Sequence, residues 1–140
     1  MTTRYPHMMP GDAPVWEAWL ARQDFPEGTE IDYDVKVGES IGTIEDMPDP
    51  YQQNAIMLSK KRIDAVVTLT DRILIVEVKA RAGWTAIGQI LGYVILFQIE
   101  FRPTLPVEAL LLANTYTLDT RTILDALEIP YEVVPLPHQP

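Results

Sequence analysis

Two apolar runs, RIDAVVTLT at residues 62–70 and RILIVEVKA at residues 72–80, flank Asp71, and this junction constrains the fold more than any other feature of the chain. Both are rich in β-branched residues and bounded by turn-forming ones, so each reads as a strand and the pair as a hairpin. With Thr70 and Asp71 at the centre of a tight bend, facing residues carry numbers that sum to 141, for a loop of two residues or of four. Ile63, Ala65, Val67 and Leu69 then oppose Val78, Val76, Leu74 and Arg72, an apolar face except at Arg72 beside the turn. The other face sets Arg62, Asp64, Val66 and Thr68 opposite Lys79, Glu77, Ile75 and Ile73.

On that second face two carboxylates meet, Asp64 across from Glu77, with Arg62 across from Lys79. Like charges directly opposite each other destabilise a sheet. Two arrangements relieve the repulsion: diagonal salt bridges with Arg62 and Lys79, or a divalent cation held between the carboxylates. Mg²⁺ suits the second, because it takes hard oxygen ligands from one or two carboxylates plus water and substrate phosphate.

Around the hairpin the chain alternates helical and strand patterns. Asp12 with Pro14 reads as a helix start, followed by Trp16, Trp19 and Leu20 on one face. Residues 31–37, IDYDVKV, alternate strictly and read as a half-buried strand. Residues 38–58 are rich in Gly, Pro and acids and read as a long connection, of the kind used for lids and partner-binding loops. A helix is expected over residues 84–101, a buried strand over 107–116, a short amphipathic helix over 119–129 and a closing strand over 131–136. The order α-β-β-β-α-β-α-β predicts a single α/β domain around a mixed sheet, antiparallel first and closed by a crossover. Residues 1–11 and 136–140, which hold His7 and His138, are expected to be loose ends.

The chain has 140 residues and no cysteine, which excludes disulfides, thiolate nucleophiles and cysteine-based zinc sites. The first residues lack the apolar core of a signal peptide, so a soluble intracellular protein is expected. Residues 84–101 are apolar enough to invite comparison with a membrane span, but Gln89, Gln98 and Glu100 favour a buried helix. The net charge is −9, which argues against a uniformly basic phosphate-binding surface. The basic residues are nevertheless clustered: residues 60–81 hold six of the eleven against three acids, a local +3 that leaves −12 on the remainder.

Asp64 followed by Glu77-Val78-Lys79 resembles the D…(D/E)xK signature of the PD-(D/E)XK nuclease superfamily. The expected αβββαβ order, followed here by an extra helix and strand, is similar to that superfamily's restriction-endonuclease-like core. Gln89-Ile90-Leu91-Gly92-Tyr93 also fits the QxxxY motif of RecB-like members. The resemblance implies a DNA nuclease, an endonuclease dependent on Mg²⁺ or Mn²⁺. It implies that Asp64, Glu77 and the Val78 carbonyl ligate the metal, that Lys79 stabilises charge developing on the phosphate, and that Gln89 braces the site. Tyr93 would contact the nucleic acid or wall the site, and Glu17 on the first helix is a further metal-ligand candidate.

Lys60, Lys61, Arg62 and Arg81 are candidate phosphate contacts, and Trp84 a candidate base-stacking platform. Gly88 and Gly92 are expected to let their helix approach the sheet closely. The acidic balance calls for a protein partner or a homo-oligomer, and leaves an alternative: a nuclease-fold subunit that binds without cutting.

Overall fold

A computed structural model of the protein describes residues 8–38 and 61–137. In chain order the elements are α1 (Ala13–Ala21), β1 (Glu30–Val37), β2 (Lys61–Thr68), β3 (Ile73–Ala82), α2 (Trp84–Phe101), β4 (Val107–Tyr116), α3 (Leu118–Ala126) and β5 (Tyr131–Val133). The five strands form one sheet in the order β1-β2-β3-β4-β5. The β1/β2 and β2/β3 pairs are antiparallel, whereas β3/β4 and β4/β5 are parallel. The architecture is the expected restriction-endonuclease-like α/β arrangement, with α2 and α3 making the two crossovers.

The hairpin register is the one expected from the sequence: Ala65, Val66, Val67 and Thr68 pair with Val76, Ile75, Leu74 and Ile73. Leu69 donates its backbone N–H to the Arg72 carbonyl at 2.9 Å, closing a loop around Thr70 and Asp71. β3 is central, and residues 73–78 are buried without a break because helices cover both faces. On one face Trp16, Trp19 and Val15 of α1 pack over Ala65, Val67, Leu74, Val76, Val78, Leu110 and Leu112. On the other, Ile87, Ile90, Tyr93 and Phe97 of α2 pack over Val66, Ile73, Ile75 and Leu111. Each fully buried aliphatic side chain contributes about 1.5–3 kcal/mol.

Strict alternation fails at one rung of the sheet. Ile31 and Tyr33 face α1, yet Val35 and Val37, of the same parity, belong to the α2 side. The reversal falls at Asp34, whose φ of 55° is left-handed and whose position in the β1/β2 ladder is skipped. Across from it β2 reverses too: Ala65 and Val67 face α1, but Ile63 faces α2. The expected apolar face of Ile63, Ala65, Val67 and Leu69 is thus broken at Asp64. A residue forced out of extended geometry turns the strand in the manner of a bulge, and the partner strand turns with it.

Other boundaries shift modestly. α3 begins at Leu118 and ends at Ala126, and the closing strand stops at Val133. Met8 and Leu136, placed by sequence in loose ends, both pack with the α1-side core. α2 is long and apolar enough to cross a membrane by length and composition alone. In the fold it joins β3 to β4 with Ala86, Ile87, Ile90, Tyr93 and Phe97 buried. It stops at Arg102, in left-handed conformation, because Pro103 cannot continue it. The expected connection over residues 38–58 lies outside the described residues apart from Gly38.

Candidate active site

Glu77 and Lys79 are two residues apart on β3, so their side chains leave the same face of the sheet. That face is the α2 side, shared with Ile73 and Ile75. Beyond the Ala65–Val76 rung the β2/β3 ladder is not continued, because β2 has turned at Asp64. Asp64 fills the opening with its side chain: Oδ2 accepts the Val78 N–H at 2.8 Å, taking the place of a strand carbonyl. The Asp64 carboxyl thereby comes within hydrogen-bonding reach of Glu77. The two acids are brought together, but through a splayed strand pair rather than as a flat cross-strand couple.

Glu77 is only 2% exposed. Burial first, then the hydrogen bond and negative charge of Asp64, hold its carboxyl well above the usual carboxylate range; Lys79 pulls the other way and Asp12 adds to the rise. Lys79 Nζ stands 3.9 Å from Glu77 Oε1. Glu77 Oε2 is buried and no donor reaches it. The amide oxygen of Gln89, on α2, is likewise buried without a donor. The unpartnered Glu77 oxygen, next to a second carboxylate and with Lys79 no nearer than 3.9 Å, carries a burial cost that a proton or a cation would offset.

Carboxylate and amide oxygens are the donor types that a hard divalent ion takes. Among the described residues no group of three or more His, Cys, Asp or Glu is arranged to hold a metal, so the remaining ligands would be neutral oxygens. Gln89 and the Val78 carbonyl are such groups.

Tyr93 lies one turn beyond Gln89 on α2 and is 7% exposed. Burial, and then the charges of Glu77 and Asp64, push its phenol up to about 12, so it stays protonated and can donate at neutral pH. It walls the site.

Glu17 is exposed on α1, opposite the face that carries Val15, Trp16 and Trp19 into the core. It is not gathered with Asp64 and Glu77. The acid that α1 does bring is Asp12, which had read as a helix cap. Its side chain makes no capping bond. Instead Oδ1 accepts the Ala80 N–H at 2.6 Å, tying the start of α1 to β3 just past Lys79. Nothing in a sequence separation of 68 residues signals that contact.

Of the basic residues on this face, Arg62 lies 3.7 Å from Asp34, and Lys79 is partnered along its own strand. Lys61 and Arg81 are exposed on β2 and β3, and Lys60 lies outside the described residues. Trp84 is 64% exposed at the start of α2 and does not pack into the core. A separate depression at the turn end of the hairpin, about 510 Å³, is lined by Asp24, Asp71, Glu108 and Glu132 against a single Arg72, so its charge is mainly negative.

No protein-family model matches the chain, and no curated protein matches it. A solved structure of EndoMS in complex with double-stranded DNA is similar, with a TM-score of 0.52 at 12% identity. The match covers 99% of this chain and 51% of that one, so the chain spans about half the length of that protein. At that identity the likeness shows the fold.

Proposed function

We propose that the chain is a divalent-cation-dependent deoxyribonuclease that hydrolyses internal phosphodiester bonds at Asp64, Glu77, Lys79 and Gln89. The observation that carries this reading is the buried Glu77 carboxyl, with one oxygen unpartnered, beside Asp64 and under Lys79. A structural acid of this kind would be neutralised by a close salt bridge, and 3.9 Å to Lys79 is long for one. The likeness to a protein solved on duplex DNA supports nucleic acid as the substrate class.

Asp64, Glu77, Gln89 and the Val78 carbonyl would hold Mg²⁺ or Mn²⁺. When bound, such an ion supplies Lewis-acid charge and lowers the pKa of water beside the phosphate. Asp64 is pre-positioned by its bond to the Val78 N–H, which restricts rotation of the carboxylate. Lys79 presents an ammonium where negative charge builds on the phosphoryl oxygens during displacement. Tyr93 closes the inner wall as a neutral hydrogen-bond donor, and adds no charge against the phosphate. Lys60, Lys61, Arg62 and Arg81 flank this centre in sequence and supply phosphate contacts in a chain that is otherwise acidic. The protein acts inside the cell, alone or within a larger assembly that compensates for the acidic surface.

The test is cleavage of single-stranded, duplex, branched and circular DNA at low salt with Mg²⁺ or Mn²⁺. Cutting of circular DNA that EDTA abolishes, and that Lys79→Ala lowers by orders of magnitude, is the expected result. Equal cleavage by both proteins would refute it. Cation binding with no cleavage of any substrate would favour the alternative that the chain's −9 charge suggests, a nuclease-fold subunit that binds without cutting.

A further inference from the structure

The outer face of α2 is apolar where a helix on a sheet is normally polar. Trp84, Leu91, Ile95 and Ile99 are 64%, 39%, 56% and 66% exposed. No charged residue occurs between Trp84 and Ile99. Gly88 and Gly92 share this face, and among the described residues a Cβ at either would meet nothing within 4 Å. The expectation that they allow close approach to the sheet is therefore incorrect: they bare the helix backbone outward. Each costs about 1 kcal/mol of helix stability relative to alanine, with no internal packing to explain it.

The spacing of these residues is symmetric. Trp84, Gly88, Leu91, Gly92, Ile95 and Ile99 follow one another at intervals of four, three, one, three and four. Laid antiparallel on a copy of itself about an axis between Leu91 and Gly92, the helix pairs residues whose numbers sum to 183. Gly88 then meets Ile95, Gly92 meets Leu91, and Trp84 meets Ile99. Each glycine receives a large aliphatic side chain, as a knob enters a hole. Thr85 and Gln98, both exposed, lie on the two flanks of the stripe as a polar border.

We propose that this face docks on a second copy of the chain, α2 against α2, with two-fold symmetry. Taking about 200 Å² for a large side chain, the four apolar residues offer roughly 450 Å² per copy and roughly 900 Å² for the pair. The glycine backbones add to this, which brings the contact close to the ~1,000 Å² where specific interfaces begin. An isologous contact requires one surface to complement itself, and this stripe does. A lipid surface fits less well, because anionic headgroups repel a chain of net charge −9. The dimer carries two copies of the Glu77 site.

The test is sedimentation of the full chain at tens of micromolar, beside Ile95→Lys, which alters an exposed residue and leaves the core intact. The wild type is expected to sediment as a dimer, and Ile95→Lys to weaken association at least tenfold with an unchanged melting temperature. In this cysteine-free chain, Gly88→Cys mixed with Ile95→Cys should form an oxidised cross-link that neither variant forms alone, since only positions 88 and 95 come within disulfide range. A monomeric wild type would overturn the proposal. A dimer that survives Ile95→Lys without the 88–95 cross-link would overturn it as well. Cleavage is not read, so the outcome is independent of the proposed reaction.

Discussion

Asp64 bonds to the backbone of β3 rather than facing Glu77 across a flat ladder: its Oδ2 accepts the Val78 N–H at 2.8 Å. The side chain therefore has two duties, filling a gap between strands and placing a negative charge beside Glu77. Substitutions can separate them. Asp64→Asn keeps an acceptor for Val78 and should leave thermal stability nearly unchanged while abolishing cleavage. Asp64→Ala strands the Val78 N–H and should cost about 1–3 kcal/mol in addition. Urea unfolding of the two variants measures the difference.

Glu77 sets the pH dependence of the cation-free protein. Its folded-state pKa is raised, chiefly by burial, so the folded chain holds this proton more tightly than the unfolded one. The associated stability is fully present below the ordinary carboxylate pKa and declines as pH rises through neutrality towards the raised value. The limiting slope is about 1.4 kcal/mol per pH unit for one proton. Melting curves in EDTA from pH 5 to 9 should fall for the wild type and be flatter for Glu77→Gln. Mn²⁺ should restore more stability at pH 8 than at pH 5, because proton and cation compete for the same oxygens.

Lys79 lies beside Glu77 and opposes a bound cation while favouring a phosphate. Lys79→Ala should therefore bind Mn²⁺ at least as tightly as the wild type, yet cleave roughly 10²–10³-fold more slowly, the scale of one lost electrostatic donor. Calorimetry and single-turnover cleavage on the same preparations read the two effects separately.

Asp34 holds the reversal that opens the hairpin. At a φ of 55° a β-branched side chain is strained, so Asp34→Val should destabilise the fold by about 1–3 kcal/mol. Asp34→Gly and Asp34→Asn should be tolerated. Chemical denaturation of the three variants orders them.

Much of this was legible in the sequence. The hairpin register followed from the parity of Val66, Ile75 and their neighbours, because one slipped residue would have exposed both core faces. The apolar run from Ile73 to Val76 required a central strand, and the 84–101 helix and its crossover followed from length and pattern. Asp64 and Glu77 were indicated by the hairpin register, and the structure sets the two carboxyls near each other; Gln89 and Tyr93 came from the likeness of their spacing to a known motif. The turn at Asp34 was not legible, since an aspartate in alternating sequence looks like any polar strand residue. Its left-handed conformation accompanies a reversal of side-chain parity along β1, which only the packing of Ile31 and Tyr33 on one face and Val35 and Val37 on the other reveals. Asp12 was hidden for a similar reason: a helix-start aspartate ordinarily caps its own helix, and only the packing of α1 on β3 redirects it to Ala80.

The central claim is that Asp64 and Glu77 share one divalent cation in a site whose buried oxygens lack any other positive partner at bonding distance. Isothermal titration of Mn²⁺ into the wild type and into Glu77→Ala at pH 8 tests it most directly. Saturable binding near one ion per chain, lost on substitution of Glu77, is the predicted result. Indistinguishable heats for the two proteins would contradict it.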